Sequence, residues 1–239
     1  RIFHWRGAYQ QDWIVDPDFP LTWQLQKETA GSGPHADLNS HSVDLAHFLV
    51  GDIRTVSCLT ANFVRERPLP GHGATAFSSG LGVVTQKGAV TVEDASLMHV
   101  EFACGAIGSF ESSRFATGRK NHNTFEIYGS EGSLAFDLER MNELQFFSRS
   151  DPGHAQGFRT ILATESSHAY VANWWPPGHI IGYEHGFISQ AADICAMVAG
   201  GSEAPPPVHA ASIVDTAATV SIGRRMRSWS PRRRMRRTV

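Results

Sequence analysis

The stretch NTFEIYGSEGSLAFDLE, residues 123–139, decides the fold. Two runs of alternating apolar and polar residues flank a short turn bracketed by Gly129 and Gly132, where glycine allows the positive φ that a tight hairpin commonly needs. The same alternation recurs upstream in IRTVSCLTANFV (53–64), ASLMHVEFA (95–103) and AIGSFESSRF (106–115), and downstream in ELQFFSR (143–149). Short connections between such runs make antiparallel neighbours. The opening residues 1–9 read as one more strand, followed through Trp23 by a Pro- and Trp-containing loop without period, a candidate binding surface.

Helices are fewer. Residues 37–50 carry Leu38, Leu45 and Leu49 on one stripe, stopped by Gly51, and residues 183–198 carry Phe187, Ala191, Ile194 and Val198 at helical spacing before Gly200 and Gly201. Pro205 to Pro207 form a linker, and a last helix is expected over residues 210–222. The simplest assembly is an α+β fold, one large, mainly antiparallel open sheet with helices on one face. The other face then needs a cover, and a second copy in a homodimer or homotetramer is the expected one.

The 239-residue chain, 41% apolar, is long enough for one large domain. No run of about eighteen apolar residues offers a membrane span, and the first residues lack a signal-peptide layout. Cys58, Cys104 and Cys195 are widely spaced and odd in number, which predicts buried free thiols in a reducing compartment, the cytoplasm. Eight of the 21 basic residues are arginines between positions 224 and 237, and without them 13 basic residues face 23 acidic ones. Residues 223–239 are read as a solvated, poorly ordered basic tail; the acidic body and the lack of an aromatic platform among the arginines, which flank Trp229 alone, argue against nucleic acid. Arg1 stands where a start methionine would, inside an apparent strand, so the chain is expected to begin in mid-protein.

Chemistry concentrates in GSGPHADLNSHSVDLAHFLVGDI, residues 31–53. Asp37 and His41 are four apart, which on a helix stacks them on one face. A carboxylate beside an imidazole orients it and raises its pKa towards the range useful for proton transfer. Each has a plainer role when read alone: Asp37 as an N-cap, His41 as a partly buried, hydrogen-bonded histidine. Together, after a glycine-rich approach, they point to function. Asp44, one further turn on, reads as a supporting or surface residue.

These motifs resemble the glucose-fructose oxidoreductase, inositol dehydrogenase and MocA-type oxidoreductases. The family pattern G-G-G-A-L-x-D-x-G-S-H-x-x-D-L is matched in order by Gly31, Gly33, Asp37, Ser40, His41, Asp44 and Leu45. The EIYGSEGSL hairpin and the opening Gly7, Tyr9, Gln11, Asp12 and Trp13 are similar too, nearest to the sugar and levoglucosan-type dehydrogenases. Pro34, His35 and Asn39 depart from the pattern and leave substrate identity open.

The resemblance implies that residues 1–222 form the substrate-binding, catalytic domain of an oxidoreductase using NAD or NADP. In the family a preceding Rossmann half holds that cofactor and adds a lysine from a Glu-Lys-Pro motif; no G-x-G-x-x-G after a strand is found in this sequence, so that half is expected to be absent from the chain and the chain alone to be inactive. His41, oriented by Asp37, would take the hydroxyl proton of a sugar or polyol. Tyr9, Gln11, Asp12 and Trp13 would line the sugar, with His185 and Trp175 as weaker candidates, and Lys27 and His35 as residues within reach. No residue is assigned to a metal.

Two other readings stay open. A metal-dependent hydrolase or isomerase would use His35, His41, His47, Asp37 and Asp44, although histidines six apart turn to different faces and the usual zinc spacings are missing. A non-catalytic sugar-binding or dimerisation module would keep the same fold without the chemistry.

Overall fold

The computed structural model describes residues 1–70 and 86–200. The expected linker, last helix and arginine tail lie outside them. Ten strands are described: β1 (Ile2–Gln10), β2 (Ile53–Ala61), β3 (Glu66–Pro68), β4 (Lys87–Ala89), β5 (Ala95–Phe102), β6 (Ile107–Ser113), β7 (His122–Gly129), β8 (Gly132–Asp137), β9 (Glu143–Ser148) and β10 (Arg159–Leu162). The helices are α1 (Lys27–Ala30), α2 (Pro34–Asp37), α3 (Asn39–Leu49) and α4 (Tyr183–Val198).

Eight strands make one sheet in the order β10-β9-β8-β7-β1-β6-β5-β2, and β3 pairs with β4 in a small ribbon. Every pairing is antiparallel except β1 with β6. β1, first in the chain, therefore inserts at the centre between β7 and β6. Sequence alternation cannot reveal that placement, because it gives the face of each residue but not its neighbouring strand.

Alternation decides the core. Trp5, Met98, Val100, Phe110, Phe125, Ile127, Leu134, Phe136, Leu144 and Phe146 line one face of the sheet and pack with Leu45 and Ala46 of α3. Trp5 stacks on Phe125 at 5.3 Å. Each such side chain contributes roughly 1.5–3 kcal/mol by leaving water. Among the described residues the opposite face is open and mixed: Leu59, Leu97 and Ile107 are 69%, 48% and 60% exposed, beside the ion pairs Arg6–Glu126 and Arg54–Glu101.

Several local expectations change. The single helix over 37–50 is two helices meeting at Leu38, so Asp37 closes α2 while His41 is the third residue of α3. Gly129 and Gly132 do not have positive φ. What Gly129 supplies is clearance: a Cβ there would stand 3.1 Å from the carbonyl oxygen of Arg1, which accepts from the Ser130 amide. The three cysteines are free but exposed, not buried. Cys58 lies on edge strand β2, Cys104 in the turn after β5 and Cys195 on α4. The α4 helix has the predicted bounds, yet no residue in it is buried among the described residues.

The aperiodic loop after β1 is packed rather than free. Ile14, Phe19, Leu21, Leu25, Val90 and Val92 form a second small core. Buried Arg67 donates to the carbonyls of Ile14, Asp16 and Phe19, stitching the loop to the β3–β4 ribbon.

Candidate active site

The site begins at the glycine-rich turn. Gly33 approaches the Glu93 backbone so closely that a Cβ would lie 2.0 Å from its carbonyl oxygen. The Glu93 carboxylate accepts from the Ser32 hydroxyl at 2.8 Å and the His35 amide at 3.0 Å. Pro34 at the first helical position, with its preset φ, then starts α2. Glycine, proline and the Glu93 clamp together fix where Asp37 emerges, one short helix later.

Asp37 receives the guanidinium of Arg114, the residue that follows β6. Arg114 is 2% exposed, and its guanidinium lies 5.2 Å over the Trp13 ring. Across from it, the Tyr9 ring meets the His41 ring edge-on at 5.7 Å. The Tyr9 hydroxyl donates to Asn121 Oδ1 at 2.8 Å, Gln11 Nε2 donates to the same oxygen at 3.1 Å, and Trp13 Nε1 donates to Gln11 Oε1 at 2.9 Å. Tyr9, Gln11 and Trp13 are thus one hydrogen-bonded set reaching Asp37 through Arg114, with His41 against its first member.

Electrostatics sharpen the roles. Crowding by protein lowers the His41 pKa below the ordinary imidazole value, and outweighs the opposite pull of Asp37 and Asp44. That differs from the rise expected from the carboxylate alone. Burial, with nearby Tyr183, pushes the Tyr9 phenol up to about 12, so it stays neutral. Asp12 is held below the usual carboxylate range, first by Lys120 Nζ, which donates to both its oxygens at 2.8 and 3.0 Å, then by the Gly118 amide.

The remaining candidates are less central. The Asp12 carboxylate is occupied with bracing the 118–120 turn. His185 Nδ1 accepts from the Gly182 amide and its ring packs edge-on to Trp174 at 4.4 Å, a helix-capping arrangement. Trp175 is strongly exposed beside His179. The His35 ring binds Ser96 on β5 at 2.9 Å, and the exposed Lys27 anchors its backbone amide on Thr91. His47 faces Asp52 at 3.7 Å. His35, His41 and His47 therefore turn to three different neighbourhoods rather than to one metal.

Four contributors escape a reading of the sequence: Arg114, Asn121, Glu93 and Tyr183. Their partners are distant in the chain, and only the polar GRKNHN turn hints at Asn121. Among the described residues, the glycine-rich turn at Gly31 and Gly33 lacks the strand-to-helix geometry that cradles a dinucleotide's pyrophosphate. Gly31 and Gly33 follow α1 rather than a strand, and they open a helix of four residues.

The model of the GFO/IDH/MocA C-terminal domain matches residues 1–135. A levoglucosan dehydrogenase from Pseudarthrobacter phenanthrenivorans is 42% identical over 207 residues, 86% of this chain and 53% of that protein. The crystal structure of an oxidoreductase domain protein from Kribbella flavida superposes with a TM-score of 0.77 at 46% identity, covering 91% of this chain and 57% of the other. A levoglucosan dehydrogenase in complex with NADH and levoglucosan gives 0.76 at 39%, covering 92% and 56%. The chain spans about half the length of these relatives. A family model that matches more than half of the chain, on a sheet of this topology carrying the Asp37–His41 segment, means that the chain belongs to the Gfo/Idh/MocA oxidoreductase family and carries its C-terminal domain.

Proposed function

We propose that residues 1–222 supply the substrate-binding and proton-transferring part of an NAD(P)-dependent dehydrogenase that oxidises a hydroxyl of a sugar or polyol. The observation that carries this reading is the convergence of His41, Asp37 and the Tyr9–Gln11–Trp13 set at one place on the covered side of the sheet. The relatives that bind NADH and levoglucosan favour the same chemistry.

The chain's own share of the reaction is the proton. A ring nitrogen of neutral His41 accepts it from the substrate hydroxyl, and the Asp37 charge stabilises the imidazolium that forms. The half-buried Trp13 ring offers an apolar face to a sugar ring, while buried Tyr9 and the Asn121 and Gln11 amides hold that wall in place. A nicotinamide, bound mainly by a dinucleotide-binding portion outside these residues, would supply the hydride acceptor.

We further assign the cover of the open sheet face, where Leu59, Leu97 and Ile107 are exposed, to a second copy in a homodimer or homotetramer. Light scattering that finds only a monomer at micromolar concentration contradicts that assignment.

The test of function is a spectrophotometric assay at 340 nm, over a panel of sugars and polyols with each nicotinamide, using a polypeptide in which this chain is joined to a dinucleotide-binding portion. Oxidation of at least one sugar is expected from the joined protein and none from the 239-residue chain by itself. Turnover by the single chain, or none by the joined protein across the panel, overturns the reading.

A further inference from the structure

A separate cluster sits on the open side of the sheet, where β7 begins and β8 ends. His122, Asp137 and Glu139 each bring one donor atom within 4.8 Å of the other two. His122 Nδ1 lies 3.4 Å from Glu139 Oε2 and 3.6 Å from Asp137 Oδ1. It is shielded from solvent and makes no hydrogen bond, and the whole side chain is only 13% exposed. That nitrogen and the two carboxylate oxygens facing it offer three ligand atoms to one cation.

The spacing says which kind. Three ligands at about 2.0–2.2 Å from one tetrahedral ion stand about 3.3–3.6 Å from each other, the separation found from Nδ1 to each carboxylate oxygen. The carboxylates are also oriented for the task. Asp137 Oδ1 accepts from the Glu139 amide at 2.9 Å, and Glu139 Oε1 accepts from the Asn121 amide at 3.2 Å, which leaves Oε2 to face the histidine. Such outer bonds are how proteins aim metal ligands. Charge agrees: the two carboxylates match a dication, and the nearby Lys120 and Arg140 are engaged by Asp12 and Glu143.

We propose that His122, Asp137 and Glu139 form a binding site for a first-row divalent metal ion, with zinc as its natural probe and water completing the coordination. The ion is structural. It ties the end of the β7–β8 hairpin to Asn121, whose side chain holds Tyr9 and Gln11 on the other side of the sheet. Nothing in this assignment depends on the dehydrogenase reading.

The test is calorimetric titration of zinc into the dialysed, metal-stripped full chain, alongside His122→Ala and Glu139→Gln, with circular dichroism to check each fold. One equivalent bound by the wild type should weaken at least tenfold in each variant, and zinc should raise the melting temperature of the wild type only. Should His122→Ala fail to fold, the isosteric change at the more exposed Glu139 decides the matter. Absence of a saturable equivalent, or one that survives Glu139→Gln unchanged, overturns the proposal and leaves a histidine–carboxylate cluster without a metal.

Discussion

The Arg114 guanidinium, buried at the end of β6, donates to the carboxylate of Asp37, the last residue of α2. This pair ties the sheet to the helix that carries the site. Its partners are unequal, since the Arg114 side chain is 2% exposed and that of Asp37 60%. Arg114→Met should therefore cost less than a fully buried pair, about 2–3 kcal/mol of folding stability, because Asp37 can still be hydrated. Urea denaturation measures this, and a midpoint unchanged from wild type would show that the pair does not hold the helix.

Gly33 is required by space rather than by dihedral freedom. Gly33→Ala places a methyl against the Glu93 carbonyl, so the turn must move away from β5. The expected loss is about 2–4 kcal/mol, within the range of steric backbone lesions. Thermal unfolding checks it. Gly31→Ala makes the useful comparison, since its cost comes from positive φ in open space and should be smaller.

Acidity gives a signed prediction for the joined enzyme. A His41 pKa below the ordinary value near 6.5 keeps the imidazole neutral, and able to take a proton, across the neutral range. kcat/KM should thus be level near neutrality and fall as pH drops through that lowered value. Asp37 and Asp44 both pull the His41 pKa upward. Asp37→Asn should move the acid limb to still lower pH while reducing the plateau rate. A limb that stays in place or moves up would detach Asp37 from His41.

Asn121 joins Tyr9 and Gln11 of the site through its side chain, and its backbone amide donates to Glu139 outside it. Asn121→Ala removes the acceptor shared by the Tyr9 hydroxyl and Gln11, leaving the buried phenol unsatisfied at a cost of about 1–3 kcal/mol. In the joined enzyme KM for the sugar should rise more than kcat falls, because the loss is one of wall geometry. Steady-state kinetics separate the two.

Much of the architecture is legible in the sequence itself. Alternation in residues 95–149 marks strands and faces, since a half-buried sheet imposes period two on sequence, and the open antiparallel sheet follows. Asp37 and His41 stand out because they are close in sequence, although they fall on two helices and not on one face of a single helix. What escapes is set by long-range pairing: β1 at the sheet's centre, Arg114 on Asp37, and Asn121 under Tyr9. Arg114 alone looks like a surface arginine, and only the fold buries it. The His122, Asp137 and Glu139 cluster is hidden likewise, its donors brought together by hairpin register. The lowered pKa of His41 is invisible to spacing, which reveals the carboxylate but not the crowding around the ring.

The base proposed for substrate oxidation, His41, is tested by the turnover of His41→Ala in the joined enzyme at saturating sugar and cofactor. A kcat at least about a hundredfold below wild type is expected, with cofactor binding unchanged. A rate within a few fold of wild type would place the base on another residue.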